Sequence, residues 1–193
     1  MFVKDRMNKN VIYVNENLSL AKTLVLMKDS KHKRLPVVNA DNKPIGIIDQ
    51  RSIEAVGSAS FLFSNTRLVD VMDTNFYKIN ESTLIEDCAL VMKENKTAFL
   101  PVVDGSNTLT GVITSYDVLK GLMRLMDIRG EGCRLVVKST DVAGLSALVA
   151  RSGKIKNMIV DGENTIIKFE SNDGSEIKER VNSQYDVVYY KEL

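Results

Sequence analysis

The sequence predicts an α+β protein of three small modules: two tandem β-α-β-β-α repeats that pack as a pair, followed by a βαββαβ module. Two observations lead to this prediction. Residue 3 to about residue 56 matches a later stretch of the chain without a gap, at an offset of 65 residues. After about residue 130 the apolar pattern changes and matches neither copy. We therefore expect repeats at 1–65 and 66–127 and a third module at 131–193.

The two repeats agree in residue identity as well as in apolar pattern. Identical residues recur at the same offset along both copies: Asp5 and Asp70, Met7 and Met72, Met27 and Met92, LPVV at 35–38 and 100–103, and Gly46 and Gly111. A gapless match of this length indicates two copies of one structural unit.

Each repeat begins with a short strand candidate, VIYV (11–14) or FYKI (76–79). A helix follows, since apolar residues recur there at three- and four-residue spacing. In the second copy, Thr83 and Glu86 have the spacing of a capping box at the start of that helix.

The second half of each repeat reads as two strands and a helix. LPVV is a buried strand, a polar turn follows, and PIGIID or LTGVIT forms the next strand. The second helix is expected to start at about Gln50 or Ser115. One repeat has too little core to stand well alone, so we expect the two to pack on each other.

The last third of the chain predicts a different order of elements. A strand at 133–139 precedes a helix that starts behind Asp141 and is expected to end at Gly153. A hairpin around Asp161-Gly162, a second helix and the strand YDVVYYKEL complete the module. This order, βαββαβ, is that of a ferredoxin-like sandwich.

Thr114 and Asp117 mark the junction of a strand and a helix in the second repeat. The first-turn amides of a helix favour an anion, so a phosphate is expected there with Thr114 donating to it. Asp117, one turn into the helix, has two acceptor oxygens that suit the vicinal hydroxyls of a ribose. Gly111 lets backbone or ligand come close. The alternative is that Thr114 and Asp117 form only a capping box.

The first repeat keeps the same frame but places Asp49 and Ser52 at these two positions. Asp49 would put a fixed negative charge where a phosphate approaches, and Ser52 offers one hydroxyl in place of a carboxylate. We therefore expect one intact site and one degenerate cleft, which is either empty or suited to another ligand.

Composition excludes several classes of function. The net charge of +1 gives no long-range attraction for nucleic acid. His32 is the only histidine, and Cys88 and Cys133 have no metal-type spacing and read as reduced thiols. No apolar run approaches a membrane span. We find no nucleophile–base pair, metal cluster or glycine-rich phosphate loop. We therefore expect a cytoplasmic, non-catalytic protein without membrane or nucleic-acid partners, and without a metal or cofactor.

Residues 1 to about 126 resemble a pair of cystathionine-β-synthase-type (CBS) domains, also called a Bateman module. The resemblance rests on the two PVV segments, on DRM and DVM at the repeat starts, and on the G-h-h-T-x-x-D pattern at 111–117. It implies a regulatory module that binds adenosine-containing nucleotides in clefts between the repeats and associates as a homodimer.

The resemblance also implies which residues line the two clefts. Opposite Thr114 and Asp117, the base is expected against Asn10, Val11 and Ile12, and the phosphates near Lys31, His32 and Lys33. The alternative for the KHKR run is a solvated loop. The mirrored cleft, beside Asp49 and Ser52, is expected to be lined by Phe76, Tyr77, Thr97, Ala98 and Phe99 and to lack a basic cluster.

Residues 131–193 resemble an ACT domain, a module that senses amino acids. The best match is the turn from Asp141 to Gly144, where Ala143 stands in place of the usual proline. The resemblance implies a small effector near Asp141 and Gly144; the alternative is a dimerisation module without ligand. A CBS pair followed by an ACT-like domain is similar to small bacterial regulatory proteins of the acetoin-utilisation type.

Together these observations favour a cytoplasmic regulatory protein that senses an adenosine-containing nucleotide of the AMP, ADP, ATP or S-adenosylmethionine class. The adenine nucleotide is expected as a regulatory ligand and not as a cofactor. The alternative is a non-catalytic dimerisation or interaction scaffold with vestigial clefts.

Overall fold

The structure, a computed structural model, describes residues 1–57, 66–128 and 130–193. It divides into two compact units, Met1–Gly121 and Leu122–Leu193. Within the described residues, no helix is long and apolar enough to cross a membrane. Cys88 and Cys133 are free thiols and both are buried.

The first unit contains the two repeats, each with one small sheet. The first repeat consists of β1 (Val14–Asn15), α1 (Leu20–Ser30), β2 (Arg34–Val38), β3 (Pro44–Asp49) and α2 (Gln50–Gly57). The second consists of β4 (Ile79–Asn80), α3 (Ile85–Glu94), β5 (Phe99–Val103), β6 (Leu109–Thr114) and α4 (Ser115–Leu125). The sheet orders are β1-β2-β3 and β4-β5-β6, with a parallel first pair and an antiparallel second pair in each. The predicted β-α-β-β-α order is therefore confirmed in both copies.

The first strand of each repeat is shorter than predicted and lies later in the chain. Val14 and Asn15 pair with Val37 and Val38, whereas residues 11–13 have no strand partner. The apolar pattern at 11–14 predicted a longer strand because side chains there pack inward at some positions. Residues 11–13 nevertheless do not pair along the backbone.

The two repeats exchange backbone hydrogen bonds, which confirms that they pack as a pair. Asn8 N–H donates to Val112 O over 2.8 Å, and Val112 N–H donates to Asn8 O over 3.0 Å. The equivalent residues Ile47 and Asp73 exchange bonds of 3.0 and 2.8 Å. The segment before each repeat's first strand therefore pairs with the third strand of the other repeat.

The predicted capping box of Thr83 and Glu86 is wrong. Helix α3 has Leu84 as its N-cap residue, and no side chain caps it. Ile85 N–H instead donates to Met1 O over 3.0 Å. The N-terminal segment supplies the backbone acceptor, so a side-chain cap is not needed at that amide.

The second unit shows the predicted βαββαβ order, which follows the last turn of α4. Its elements are β7 (Cys133–Val137), α5 (Val142–Val149), β8 (Lys154–Asp161), β9 (Asn164–Glu170), α6 (Gly174–Asn182) and β10 (Val187–Glu192). They form one antiparallel sheet of order β10-β7-β9-β8. Its core contains fully buried Leu135, Leu145, Phe169, Ile177 and Val181.

Two local predictions can be compared with the second unit. The hairpin around Asp161 and Gly162 is present, and Gly162 has the positive φ of +59° that its turn requires. Helix α5 ends at Val149, before Gly153, because Ala150 is already its C-cap residue. The assignment of this unit to the ACT family, and the module boundaries at 65, 127 and 131, stay predictions.

Candidate functional site

Thr114 and Asp117 lie in a cleft of about 900 Å³ in the first unit, which we call the Thr114 cleft. The structure brings Lys31, His32 and Lys33, which the family resemblance implies as phosphate contacts, to the same cleft. Their role in binding stays a prediction. A cavity of this size is ample for a nucleotide, since small-molecule sites usually enclose about 300–1,000 Å³. The lining of the Thr114 cleft comprises Asn8, Lys31, His32, Lys33, Arg34, Asp49, Gln50, Arg51, Glu54, Phe99, Val112, Thr114 and Asp117.

Thr114 and Asp117 form a reciprocal capping box at the start of α4. Thr114 ends β6, and its N–H and hydroxyl donate to Asp117 Oδ2 over 3.0 and 2.6 Å. Asp117 N–H donates to Thr114 Oγ1 over 3.3 Å. Among the described residues no donor contacts Asp117 Oδ1, so one carboxylate oxygen of this half-buried side chain stays available to a ligand.

The predicted base contacts lie in a different place from the cleft. Asn10 is exposed, Val11 and Ile12 are half-buried, and none of the three is part of the lining. Asn8 takes their place, because its backbone pairing with Val112 brings it beside β6. The D-x-M pattern at 5–7 was the available signal, since it directly precedes Asn8 in the sequence.

Sequence reasoning also missed the contribution of the first repeat's second helix. Gln50, Arg51 and Glu54, in the first part of α2, line the Thr114 cleft. Arg34, the last residue of the KHKR run, lies there as well. The sequence pattern pointed only to Asp49 and Ser52 in this region, and to the other cleft.

A second cleft of about 440 Å³ contains Asp49 and Ser52, and we call it the Ser52 cleft. Phe76, Thr97 and Phe99 line it, as predicted, whereas Tyr77 and Ala98 are exposed and lie outside the lining. The lining comprises Arg34, Ile47, Asp49, Arg51, Ser52, Asp73, Phe76, Lys96, Thr97 and Phe99.

The prediction that the Ser52 cleft lacks a basic cluster is wrong. Arg34, Arg51 and Lys96 line this cleft, opposite the carboxylates of Asp49 and Asp73. Arg34 and Arg51 contact Asp49 and belong to its own repeat, whereas the family resemblance points to the opposite repeat for the lining of this cleft.

Asp49 is not the isolated negative charge that the sequence suggested. Arg34 Nε donates to Asp49 Oδ2 over 2.9 Å, and Arg51 N–H donates to Oδ1 over 2.9 Å. Partial burial tends to raise the pKa of this carboxyl, but the Arg34 bond, the Arg51 amide and both guanidinium charges outweigh it. The net result is a pKa below the usual value, so Asp49 is ionised and its charge is balanced by two arginines.

In the second unit, both carboxylate oxygens of Asp141 are already bonded. Oδ1 accepts from Gly144 N–H over 2.9 Å, and Oδ2 accepts from the Tyr185 hydroxyl. The Tyr185 bond and then the Gly144 amide hold the pKa of Asp141 below its usual value. The predicted effector turn is therefore filled by Tyr185, a side chain that sequence reasoning did not place there.

The described residues contain no group of three or more histidine, cysteine or acidic side chains that could hold a metal ion. Tyr116, which follows Thr114 by two residues, is 65% exposed and is absent from both linings. The clefts thus offer lysine and arginine side chains, carboxylates and hydroxyl groups, and in each lining the lysines and arginines outnumber the carboxylates, which suits binding of a polar anionic molecule.

The family model described as "CBS domain" matches residues 3–56 and 68–124. The chain therefore belongs to the CBS domain family, with two copies in tandem.

Solved structures of CBS-pair proteins are similar to this chain. AcuB of Vibrio cholerae, named for acetoin utilization, is 27% identical, with 67% of this chain and 95% of that chain covered and a TM-score of 0.58. CBSX2 of Arabidopsis thaliana, solved in complex with AMP, is 26% identical, with 65% and 98% covered and a TM-score of 0.57.

Several curated relatives are longer proteins. The inosine-5'-monophosphate dehydrogenase of Methanocaldococcus jannaschii is 30% identical over 129 residues, which is 67% of this chain but 25% of the relative. The chain spans between 25% and 52% of the length of the first curated relatives that it matches.

Proposed function

We propose that this chain is a regulatory protein that binds an adenosine-containing nucleotide in the Thr114 cleft. The observation that carries the proposal is the meeting of Thr114, Asp117 and the basic run at 31–33 around one cavity of ligand size. The complex of CBSX2 with AMP supports this ligand class. AMP, ADP, ATP and S-adenosylmethionine are the candidates.

The proposed binding mode follows from the geometry of the cleft. Asp117 Oδ1 accepts from the ribose hydroxyls, since Oδ2 is held by Thr114. Lys31 and Lys33 are exposed cations on the opposite repeat, where they meet the phosphates. The role is non-catalytic, and the nucleotide acts by binding two arrangements of the protein with different affinity.

The second unit is proposed to be an ACT-like module that supports a homodimer in the cytoplasm. The bond between Tyr185 and Asp141 favours assembly over effector binding, because an amino acid at this turn would have to displace a hydroxyl from a fully bonded carboxylate. An effector that does bind at Asp141 and Gly144 would be the alternative.

One observation favours the scaffold alternative for the clefts. Thr114 and Asp117 satisfy each other, and such a capping box forms in proteins that bind nothing there. A test must therefore separate the capping role of Asp117 from its proposed ribose role.

Asp117→Asn makes this separation. The asparagine oxygen can still accept from Thr114, but the second acceptor oxygen and the charge are lost. We expect the unliganded melting temperature to change little, and the affinity for AMP, ADP, ATP or S-adenosylmethionine to fall about tenfold or more by isothermal titration calorimetry.

The matched control is Ser52→Ala, which alters the equivalent position of the first repeat. It should leave nucleotide binding at the Thr114 cleft unchanged. A bound ligand at 100 times its dissociation constant should raise the free energy of unfolding by about 2.7 kcal/mol. If none of the four nucleotides raises the melting temperature of the wild type, the scaffold alternative is supported.

A further inference from the structure

Four residues line both clefts: Arg34, Asp49, Arg51 and Phe99. We call these four residues the shared wall, because each of them borders both the Thr114 cleft and the Ser52 cleft. The remaining cations belong to one side only. Lys31 and Lys33 line the Thr114 cleft, and Lys96 lines the Ser52 cleft.

Within the shared wall, Asp49 forms a close ion pair with Arg34 but only a longer one with the guanidinium of Arg51. Arg34 Nε lies 2.9 Å from Asp49 Oδ2, whereas Arg51 Nε lies 3.7 Å from Oδ1. The Arg51 side chain is 86% exposed, compared with 41% for Arg34 and 23% for Asp49. The backbone amide of Arg51, not its guanidinium, makes the close bond to Asp49.

Arg51 therefore has a guanidinium that is available to an anion. A guanidinium carries five N–H donors in a planar fork that suits phosphate oxygens. Among the described residues, Asp49 is the one acid that forms an ion pair with Arg51. Because the side chain is long and exposed, it can turn toward either cleft. It cannot give its full set of donors to anions in both clefts at once.

We infer that Arg51 is a phosphate-binding residue shared by the two clefts, so that a phosphate group in the Thr114 cleft weakens the binding of an anion in the Ser52 cleft. This inference rests on the proposed nucleotide site and adds a regulatory property to it. Ser52 gives the smaller cleft no carboxylate for a ribose, but Arg34, Arg51 and Lys96 give it the charge for an anion. The two clefts then compete for one cation instead of filling independently.

The test compares a neutral and a charged ligand in the Thr114 cleft. The full chain, labelled with ¹⁵N, is saturated with adenosine or with AMP, and pyrophosphate is then titrated in. The amide of Asp117 reports the Thr114 cleft, and the amide of Thr97 reports the Ser52 cleft. We expect pyrophosphate to bind at the Thr97 side about tenfold more weakly when AMP replaces adenosine.

Two variants show whether the coupling passes through Arg51. Arg51→Gln should weaken pyrophosphate binding and remove most of the difference between the adenosine and AMP states. Lys96→Ala should weaken pyrophosphate binding to a similar extent in both states and so preserve the difference. Neither side chain belongs to the core, and thermal melts of both variants check that the fold is kept.

Each failure has its own signature. If pyrophosphate does not shift the amide resonance of Thr97, the inference is overturned while the nucleotide site stands. The same holds if pyrophosphate binds equally well in the adenosine and AMP states. A difference that persists at full size in Arg51→Gln also overturns it, since simple repulsion between the two anions would then explain it. If neither adenosine nor AMP shifts the amide resonance of Asp117, the proposed function itself is wrong.

Discussion

At the scale of single residues, two glycines and two methionines explain why the D-x-M and glycine motifs occur together in each repeat. A Cβ at Gly111 would lie 2.5 Å from Met7 Sδ and 3.2 Å from Asn8 O. A Cβ at Gly46 would lie 2.6 Å from Met72 Sδ in the same way. The methionine of each repeat therefore packs onto the glycine of the other, and the space at Gly111 is used by the protein's own chain.

We predict that Gly111→Ala destabilises the first unit by about 1–3 kcal/mol, the usual cost of an added methyl group in a packed core. The Met7 side chain can shift in part, but the Asn8 backbone is fixed by its pairing with Val112. Urea unfolding followed by circular dichroism measures the change.

Gly105→Ala is the matched control, because a Cβ there would meet nothing within 4 Å. Its unfolding free energy should stay within about 0.5 kcal/mol of the wild type. Equal losses for Gly111→Ala and Gly105→Ala would show that the contact with Met7 and Asn8 is not what limits the site.

The residues of the site that could be predicted from the sequence are those whose role is local. Thr114 and Asp117 form such a motif within four residues, whereas Lys31–Lys33 were assigned to the cleft by the family resemblance. Asn8 and Arg51 could not be found in this way, because they reach the Thr114 cleft from the other repeat through packing. The balance of charge around Asp49 likewise depends on where the side chain of Arg34 points.

At the scale of elements, the order of helices and strands follows from apolar periodicity, but their ends depend on tertiary partners. Helices α2 and α4 start at Gln50 and Ser115, as predicted. The start of α3 was misread, because Met1 O supplies an acceptor that no local pattern reveals. Strand β1 was misplaced for the same kind of reason, since its length is set by its pairing with β2.

The buried side chain of Lys168, in β9, binds the segment that follows α4 in the chain. The Lys168 side chain is 2% exposed, donates to Asp127 O and, over 2.6 Å, to Gly130 O, and lies 3.1 Å from Asp127 Oδ2. A lysine in a central strand would ordinarily be read as facing solvent. Here its ammonium group donates to backbone carbonyl groups that follow the end of α4.

We predict that Lys168→Met lowers the free energy of unfolding of the second unit by about 2–3 kcal/mol, because two carbonyl oxygens and a carboxylate lose their donor. Chemical denaturation followed by near-ultraviolet circular dichroism is the measurement. Lys154→Met, at an exposed position of β8, serves as the control and should change stability by less than about 0.5 kcal/mol. Similar effects of the two changes would contradict a structural role for the Lys168 contacts.

At the scale of the whole molecule, each compact unit contains one buried cysteine. Cys88 lies in α3 of the first unit, and burial raises the pKa of its thiol to about 11. Cys133 lies in β7 of the second unit and is 5% exposed. Thiol reagents attack the thiolate at accessible sites, so each cysteine should react only when its own unit opens.

We predict that saturating AMP slows the labelling of Cys88 by a disulfide reagent far more than that of Cys133. Ligand at 100 times its dissociation constant lowers the population of the open first unit about 100-fold, and labelling follows that population at reagent concentrations where reclosing is faster than the reaction with the thiol. Mass spectrometry of tryptic peptides after timed labelling separates the two sites. Equal slowing at both cysteines would contradict the prediction and show that the units open together.

The reciprocal pairing of Asn8 with Val112 and of Ile47 with Asp73 has a consequence for biosynthesis. When residues 1–57 have left the ribosome, Ile47 still lacks Asp73, and Asn8 must wait until Val112 emerges. During translation the first half of the module therefore lacks these backbone partners until the second half has emerged. A truncated chain that ends between the two repeats should expose the unpaired backbone at Asn8 and Ile47 and be captured by chaperones or proteases. Only the chain that contains both repeats should then accumulate.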